Sequence, residues 1–406
     1  MGYKTLCFGL TCILFAYFIY VPIPENIDEP WKVRIVDAVI KTTSLTAMLF
    51  ENIGLMGYEK LFSTLVKLDY TQPISDENVT VMDTTFTDIP VRLYLPKRKS
   101  ERQRPAVIFI HGGAFVLGSC SKCILWQAPL DLLNRLTANK LDAVVVGVDY
   151  RLAPQYQFPT PYEDVISVVK FFLEDKTLAE YGVDPTRICI SGDSSGGTLA
   201  AGVVQQIQND PEFKNKFKAQ ALIYPGLQLV DISMPSHQEY EHGPVLSRNM
   251  AIELGCLYLT NDKALSQAIR KNQHMPHGSG HLFKLVNWST FLPEKYRKQH
   301  VYTEPVLGRL NTSFSILLDN RLSPLATNDS QLQNLPLTYV VTCQHDILRD
   351  DGLIYVSRLR NAGVKVSHDH IEDGVHGALS FMTLPVYLQL GIRIKDKYIN
   401  WLEENL

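Results

Sequence analysis

Residues 187–200 read RICISGDSSGGTLA, and this stretch decides how the rest of the chain is interpreted. A short apolar run ends at Gly192-Asp193-Ser194-Ser195-Gly196, a Gly-x-Ser-x-Gly pattern, and small residues suited to a helix start follow it. The pattern predicts a strand, a sharp turn and a helix, with a glycine on each side of the turn to avoid Cβ clashes. A serine in such a turn projects its hydroxyl above the sheet edge, so Ser194 is a candidate nucleophile.

Strand-like and helix-like stretches alternate along most of the chain. Almost uniformly apolar runs, typical of buried parallel strands, lie at residues 106–110, 143–150, 219–224 and 337–343. Two antiparallel strands are expected at 79–86 and 90–95, a last strand at 364–371, and helices at 162–175, 249–260 and 350–361. This alternation predicts an α/β fold with a mostly parallel central sheet of about eight strands and helices on both faces.

The 406-residue chain has an ordinary globular composition, 46% hydrophobic and 20% charged, which suits one large domain with an insertion. Its net charge of -3 and its lack of a dense basic run argue against nucleic acid as a partner. Residues 31–68 predict two helices broken near Gly54 and Gly57, and residues 231–305 lack strand signals. We interpret both segments as a helical cap on an α/β domain that spans residues 23–406.

Residues 1–22 contain an uncharged apolar segment, Thr5–Val21, close to the shortest length that spans a bilayer as a helix, roughly 17 residues. A cleaved signal peptide is the alternative, but the segment does not end in the small residues that cleavage requires, which favours an uncleaved anchor. Lys4 precedes the segment and acidic residues follow it, so we expect the N-terminus in the cytosol. The expected location is the endoplasmic reticulum membrane with a lumenal body, and secretion is the alternative.

Four Asn-x-Ser/Thr sequons agree with a lumenal body and predict glycosylation. They lie at Asn78, Asn287, Asn311 and Asn328. Of the seven cysteines, those outside the anchor allow a disulfide or two in an oxidising compartment, and they are Cys120, Cys123, Cys189, Cys256 and Cys343. The Cys120-x-x-Cys123 pair has no second pair of ligands, so we expect no metal site there.

Glycines also follow a predicted buried strand, at His111-Gly112-Gly113-Ala114. At the carboxyl end of such a strand, the backbone N–H groups of Gly112, Gly113 and Ala114 would face the space above the sheet. An anionic tetrahedral intermediate needs hydrogen-bond donors at that place. A plain glycine turn is the alternative interpretation.

Partners for Ser194 are expected later in the chain, because a serine nucleophile needs a histidine base and a carboxylate that orients the imidazole. Asp346 and His376 each lie just beyond a predicted strand, in the order Ser, Asp, His. The rival histidines are less suited: His345 adjoins Asp346, and two others lie within a strand, His368 and His370. The rival carboxylates, Asp350 and Asp351, look like the acidic first turn of a helix, which the helix dipole alone explains.

The combined motifs carry a resemblance to a known family. They are His111-Gly112-Gly113, Tyr150-Arg151-Leu152-Ala153-Pro154, the turn around Ser194, Asp346-Ile347-Leu348-Arg349-Asp350-Asp351-Gly352 and His376-Gly377. In these motifs the chain resembles the arylacetamide deacetylase branch of the hormone-sensitive-lipase-like α/β-hydrolases, nearly from end to end. The resemblance implies the α/β-hydrolase fold and hydrolysis of esters or amides of hydrophobic acylated small molecules or lipids, without metal or organic cofactor.

The same resemblance implies roles for individual residues. Ser194, Asp346 and His376 would form a catalytic triad, and the N–H groups of Gly113, Ala114 and Ser195 would form the oxyanion hole. The N-terminal helices and the insertion would cover the acyl pocket. Two departures matter: Ala114 stands where the family usually has a third glycine, and Val116 stands where it commonly has a cysteine, which removes the usual disulfide partner of Cys343. Cys120 and Cys123 are both open as substitutes.

Two further functions stay open on the sequence alone. An inactive hydrolase fold used for binding is the first, supported by Ala114, which costs about 1 kcal/mol if its φ is positive. Acyl transfer to an acceptor other than water is the second. The physiological substrate, the acyl length, the preference for esters or amides and the oligomeric state are not predicted.

Overall fold

The computed structural model describes residues 22–57, 72–121, 128–308 and 316–406, together with positions 2, 3, 5, 9, 13, 16, 20, 60 and 61. Most of the predicted anchor, most of the second helix predicted within 31–68, and the residues Asn311 and Cys123 lie outside this described part. Within it, no helix has both the length and the apolarity needed to cross a bilayer.

Strands in the described part form one eight-stranded sheet, as the sequence predicts. They are β1 (Val79–Phe86), β2 (Ile89–Pro96), β3 (Arg104–Ile110), β4 (Val144–Val148), β5 (Val183–Asp193), β6 (Ala219–Ile223), β7 (Leu337–His345) and β8 (Val366–Val375). Their order is β1-β2-β4-β3-β5-β6-β7-β8. Only β2 runs antiparallel to its neighbours, and all other adjacent pairs are parallel. The predicted α/β-hydrolase architecture is therefore confirmed.

Helices of the described part lie on both faces of the sheet and above its carboxyl edge. The α-helices are α1 (Pro30–Asn52), α2 (Ala128–Leu141), α3 (Thr160–Phe172), α4 (Asp175–Glu180), α5 (Ser195–Gln208), α6 (Pro235–Glu239), α7 (Arg248–Leu259), α8 (Lys263–Arg270), α9 (Trp288–Phe291), α10 (Glu294–Arg297), α11 (Asp329–Leu332), α12 (Arg349–Asn361) and α13 (Gln389–Asn405). Short 3-10 helices are Gly280–Leu285, Pro324–Ala326 and Ala378–Phe381.

Alternating side chains of β3 divide the interior into two hydrophobic cores. Ile108 belongs to the core that contains Leu199 of α5, and Val107 belongs to the core that contains Leu402 of α13. Successive residues of a strand point to opposite faces of the sheet, so one apolar run supplies both cores. Every residue of β3 after Arg104 is buried.

This arrangement brings the predicted site residues to one edge of the sheet. The strands β3, β5, β7 and β8 are parallel, and they end next to His111, Ser194, Asp346 and His376, respectively. Carboxyl ends of parallel strands share an edge, where ligands of open α/β sheets bind.

Several predicted boundaries need correction. The last strand extends to Val375, so residues 372–375, predicted as a loop, pair with β7 through His345 and Val375. The helix predicted over 162–175 begins at Thr160, ends at Phe172 and is followed by the separate helix α4.

Cysteines in the described part remain unpaired. Cys120, Cys189, Cys256 and Cys343 are free thiols, and all four are buried. The bridge expected between Cys343 and a substitute partner is absent from the structure. Instead, Cys343 packs closely against Gly374 of the neighbouring strand β8, where an added Cβ would lie 2.8 Å from the cysteine sulfur.

Candidate active site

Ser194 occupies the sharp turn between β5 and α5. Its backbone has φ 53° and ψ -121°, a conformation that costs a non-glycine residue on the order of 1–3 kcal/mol. The Ser194 N–H donates to the Ile223 carbonyl at 2.9 Å, which ties the turn to strand β6. The surrounding structure therefore holds the serine in the strained conformation predicted from the sequence.

Glycines beside Ser194 make this turn possible, because the backbone there packs too closely to leave room for a side chain. A Cβ on Gly196 would lie 2.1 Å from the Ile110 carbonyl oxygen, and a Cβ on Gly192 would lie 2.4 Å from the Gly196 carbonyl carbon. Both distances are far below van der Waals contact. The start of α5 therefore approaches β3 as closely as it does only because these two positions carry no side chain.

The structure brings the three predicted triad residues together. Ser194 Oγ lies 2.9 Å from His376 Nε2, and His376 Nδ1 lies 2.8 Å from Asp346 Oδ2. Asp346 is 1% exposed, and its other oxygen accepts the Leu348 N–H at 2.8 Å. The ring of Tyr224 contacts the His376 imidazole edge-on, with centroids 5.0 Å apart. A buried carboxylate, an oriented imidazole and a hydroxyl thus form one continuous hydrogen-bonded chain.

The rival histidines are engaged elsewhere. His345 Nδ1 lies 3.2 Å from the Tyr240 hydroxyl, and its Nε2 lies 3.0 Å from Asn26 Oδ1. The Thr342 hydroxyl lies 2.8 Å from ring nitrogens of both histidines in β8, His368 and His370. None of the three reaches Ser194 in the structure.

The rival carboxylates anchor loops, which differs from the helix-dipole explanation given by the sequence. Asp350 accepts the Ser236 N–H at 2.7 Å, and Asp351 accepts the Leu227 N–H at 2.8 Å. Both carboxylates are essentially inaccessible to solvent. They therefore hold the chain that follows β6 against the first turn of α12.

The Gly112 assignment to the oxyanion hole requires correction. Its N–H donates to Asp193 Oδ1 at 2.8 Å, so this donor already has an acceptor. Sequence reasoning had no role for Asp193, because the contact depends on how the loop after β3 folds back over β5. A carboxylate directly before the candidate nucleophile was the one available signal.

The other predicted donors, Gly113, Ala114 and Ser195, remain unoccupied in the described part of the chain: their N–H groups have no acceptor there. Gly113, Ala114 and Ser194 line a common cavity, and the Phe115 N–H joins the two walls by donating to Ser195 Oγ at 3.3 Å. Three residues whose N–H groups lack an acceptor therefore border the same cavities as Ser194, and an oxyanion hole needs donors of this kind.

Ala114 has a φ of 55°, in the left-handed region that the family's usual glycine would adopt without strain. The turn continues with Phe115, which also has a positive φ of 64°. At Gly113, by contrast, an added Cβ would lie 2.2 Å from the Leu117 carbonyl oxygen. Glycine is therefore required at position 113, and alanine is tolerated at position 114.

Two cavities meet at Ser194. The larger has a volume of about 260 Å³, and its lining includes His376 and the α1 residues Val39, Ile40 and Thr43. The smaller has a volume of about 130 Å³, and its lining includes Ser195, Thr198 and Gly255. Ala114 and Leu246 border both cavities.

Comparison with known proteins agrees with this geometry. A family model described as alpha/beta hydrolase fold matches residues 107–280 and 288–380. Human arylacetamide deacetylase-like 2 is 63% identical over 406 residues, with all of both chains covered. The chain belongs to the arylacetamide deacetylase family of α/β-hydrolases. Rabbit (Oryctolagus cuniculus) arylacetamide deacetylase is 47% identical, with both chains fully covered. Pongo abelii neutral cholesterol ester hydrolase 1 is 37% identical, and the match covers 99% of this chain and 100% of the relative.

Solved structures share the fold of this deacetylase-family chain. A hyperthermophilic esterase from Pyrobaculum calidifontis superposes with a TM-score of 0.62 at 23% identity and covers 95% of this chain and 99% of its own. A thermostable carboxylesterase from a metagenomic library gives a TM-score of 0.59 at 26% identity and covers 91% and 97% of the two chains. These structures share the fold, and the relatives above make the chain an ester hydrolase.

Buried polar groups hold the loop of residues 111–114, which carries two of the candidate oxyanion donors. Burial raises the pKa of Asp193 to about 6, and the Gly112 N–H opposes that rise by stabilising the carboxylate. The His111 ring stacks on Tyr150 with centroids 4.3 Å apart, and the Tyr150 hydroxyl donates to the His111 carbonyl at 2.9 Å. The loop is thus held from both sides, which keeps the neighbouring donors in place.

Across the described ranges, no group of three His, Cys, Asp or Glu side chains is placed to hold a metal ion. The reactive groups that surround Ser194 are the imidazole, the carboxylate and the backbone donors.

Proposed function

We propose that Ser194 attacks carboxylic esters and passes through an acyl-enzyme, with His376 as the general base and Asp346 as the group that orients it. One observation carries the proposal: the chain of hydrogen bonds from Asp346 through His376 to Ser194 ends beside three free backbone donors. An oxyanion formed at that place receives hydrogen bonds that the ground-state carbonyl uses less well.

Each step follows from the positions of these atoms. His376 Nε2 takes the Ser194 proton as the oxygen attacks the carbonyl carbon, and the negative charge develops on the carbonyl oxygen. The imidazolium then protonates the leaving oxygen or nitrogen as the tetrahedral intermediate collapses to the acyl-enzyme. Water repeats both steps, with His376 again as base and then as acid, and the carboxylic acid is released.

The two cavities receive different parts of the ester. The leaving group must lie beside His376, because that residue protonates it, and His376 lines only the larger cavity. The acyl group then extends away from His376, into the smaller cavity that Ser195 and Thr198 border. We therefore assign the smaller cavity to the acyl group and the larger one to the alcohol or amine.

Under this assignment, the volumes of the two cavities limit the sizes of the acyl group and of the leaving group. A volume of about 130 Å³ holds an acyl group no larger than about a benzene ring, which needs roughly 150 Å³. The larger cavity of about 260 Å³ is mostly apolar and takes a bulkier hydrophobic group. The name of one relative, arylacetamide deacetylase, supports a short acyl group, and the name of another, neutral cholesterol ester hydrolase, supports a large apolar leaving group.

A matched pair of variants tests the assignment. Gly255 of α7 borders the smaller cavity, and an added Cβ there meets no atom within 4 Å, so Gly255→Leu fills that cavity without a backbone clash. Thr43→Phe narrows the larger cavity in the same way. We expect Gly255→Leu to lower kcat/KM for hexanoyl esters about 10-fold or more while acetyl esters of the same phenol keep their rate.

Thr43→Phe is expected to do the opposite: it lowers kcat/KM for acetyl esters of bulky alcohols and leaves the dependence on acyl length unchanged. Steady-state kinetics on a panel of esters that varies one side at a time measures both effects. If Gly255→Leu discriminates among alcohols rather than acyl groups, the assignment is reversed and this part of the proposal is wrong.

We also propose that the N-terminal segment anchors the protein in the endoplasmic reticulum membrane with the body in the lumen. The uncharged stretch Thr5–Val21 supports this, and so do large apolar side chains exposed on the helix that follows it. They are Trp31, Ile35, Met48 and Leu49 of α1. An amphipathic helix with aromatic and aliphatic side chains on its outer face suits a membrane surface.

Glycosylation tests the lumenal side of this proposal. Asn78 and Asn328 are exposed, and the side-chain oxygen of Asn287 accepts the Ser289 N–H at 3.0 Å at the start of α9. We expect endoglycosidase treatment of the protein from mammalian cells to increase its gel mobility, and Asn78→Gln together with Asn328→Gln to reduce that shift. An unchanged mobility of the wild-type protein would place its body on the cytosolic side.

A further inference from the structure

His237 of α6 is a buried histidine on the wall of the smaller cavity. It is 6% exposed and borders the same cavity as Ser194 and Ser195. Its Nδ1 is fully buried and unpaired, and Nε2 forms no hydrogen bond with another described residue either. Buried polar groups are almost always hydrogen-bonded, so an unpartnered imidazole beside a reaction centre calls for a ligand or an ordered water.

The position of this ring is fixed by its neighbours in the chain. The Ser236 N–H donates to Asp350 Oδ2 at 2.7 Å, and the Ser236 hydroxyl donates to the Ile347 carbonyl at 2.7 Å. Ile347 directly follows Asp346 and borders the same cavity as His237. The first turn of α12 therefore holds α6 in a defined place relative to the triad.

The charge around His237 keeps its ring neutral. Burial, with a smaller contribution from the cations Arg248 and Arg349, lowers the pKa of His237 to about 3. A neutral imidazole carries one N–H donor and one acceptor nitrogen. At every pH at which an esterase is assayed, the ring offers a hydrogen bond without a charge.

The burial of Nδ1 indicates which ring nitrogen of His237 carries the proton. An unpaired N–H costs more in a protein interior than an unpaired acceptor, so the proton is better placed away from the sealed Nδ1. The remaining nitrogen is Nε2, on the ring that borders the cavity. The nearby Arg248 is satisfied by carbonyls of Ile232 and Arg270 at 3.1 Å, and its positive charge favours oxygen over a cationic group in this region.

We propose that His237 is a specificity-determining residue that donates a hydrogen bond to a neutral oxygen on the acyl group of the substrate. The substrate class is then esters of short acids that carry a keto or ether oxygen along the acyl chain. This inference rests on the assignment of the smaller cavity to the acyl group. It adds a polar recognition point to a cavity whose other walls, including Ile252 and Tyr258, are largely apolar.

Two pairs of p-nitrophenyl esters with nearly the same shape provide the test. Levulinate and isocaproate differ by a carbonyl oxygen in place of a methyl group, and methoxyacetate and butyrate differ by an ether oxygen in place of a methylene group. The leaving group is constant, so the chemistry at Ser194 is common to all four. Rates of alkaline hydrolysis correct for intrinsic reactivity.

In the wild-type protein we expect kcat/KM, corrected in this way, to favour the oxygen-containing member of at least one pair by about 3- to 10-fold, the range of one neutral hydrogen bond. His237→Phe keeps the ring shape and removes the donor, so the corrected ratio of the two rates within each pair should fall to about 1. His237→Gln restores an N–H near the Nε2 position and should recover part of the preference.

Ile252→Val is the matched control, because it changes the space in the same cavity but not its polarity, and it should keep the wild-type ratio. A ratio that is equal in wild type and in His237→Phe for both pairs overturns the proposal and leaves only an ordered water at His237.

These outcomes are separate from a failure of the proposed catalytic function, which would remove hydrolysis of all four esters. If His237→Phe does not fold, the corrected wild-type ratios decide alone: the absence of any preference for oxygen contradicts the proposal.

Discussion

Ala114 is the single residue in which the candidate oxyanion hole departs from the pattern of its family. Its φ of 55° means that alanine adopts a conformation that glycine reaches more easily, yet its N–H still borders the cavity beside Ser194. The strained φ of Ala114 therefore does not remove this residue from the cavity.

We therefore predict a small effect of Ala114→Gly. Relief of the left-handed alanine and the greater freedom of glycine in the unfolded chain oppose each other, so the free energy of unfolding should change by less than about 1 kcal/mol. The value of kcat/KM should change by less than about 3-fold. A gain of 100-fold or more would instead support the inactive-fold alternative, in which Ala114 suppresses catalysis.

Functional residues that lie in recognisable motifs could be predicted from the sequence. Residues whose role depends on a contact in the folded chain could not. Ser194, Asp346 and His376 could be predicted because each follows a recognisable strand. The role of Asp193 as acceptor for the Gly112 N–H could not, because it depends on two loops that approach each other across β3 and β5. His237 was equally hidden, since nothing in its local sequence shows that its ring lacks a partner.

Among the elements, the contact between the turn at Ser194 and strand β3 controls the geometry of the site. We predict that Gly196→Ala lowers the free energy of unfolding by at least about 2 kcal/mol, because its Cβ would lie 2.1 Å from the Ile110 carbonyl oxygen and 2.6 Å from that of His111. Urea unfolding followed by circular dichroism measures the change.

Gly280→Ala is the control for this prediction. Gly280 begins a 3-10 helix, and an added Cβ there meets no atom within 4 Å, so the substitution should change stability by no more than about 0.5 kcal/mol. Equal stability of the two variants would mean that the turn can move away from β3, and the close packing would then not constrain Ser194.

The same scale shows why some elements were predicted well and others were not. The parallel strands are short apolar runs, and burial on both faces leaves that pattern in the sequence. The end of β8 was missed because Glu372 and Asp373 are polar, although the strand continues through them to Val375. Polar residues at the exposed end of an edge strand carry no burial signal.

For the whole molecule, two half-buried histidines of the edge strand β8 make stability depend on pH. Burial lowers the pKa of His368 and of His370 to about 4, below the value of about 6.5 in the unfolded chain. Between these values the unfolded chain binds more protons, so stability falls as the pH is lowered from about 6.5 to 4.

We predict that the double variant His368→Gln and His370→Asn loses less stability than the wild type when the pH is lowered from 7.5 to 4.5. Urea unfolding at several pH values measures the difference. The prediction fails if the double variant and the wild type lose the same free energy of unfolding over this range.

The cap is the part of the molecule for which sequence reasoning was least complete. The segments 31–68 and 231–305 were recognised as helical, and residues of both, such as Thr43 and Leu246, border the larger cavity. The division into two cavities of different size could not be predicted, because it depends on residues far apart in sequence, such as Ala114 and Leu246, that border both cavities in the folded chain.

The most direct test of the account is the site and rate of labelling of the full chain by a fluorophosphonate, followed by peptide mass spectrometry. An activated serine reacts with this reagent, whereas the hydroxyls of Ser191 and Ser195 lack a histidine base in the structure. The account predicts one adduct on Ser194, no adduct in Ser194→Ala and labelling slowed by about 100-fold or more in His376→Ala. An adduct on another serine, or an unchanged rate in His376→Ala, would contradict it.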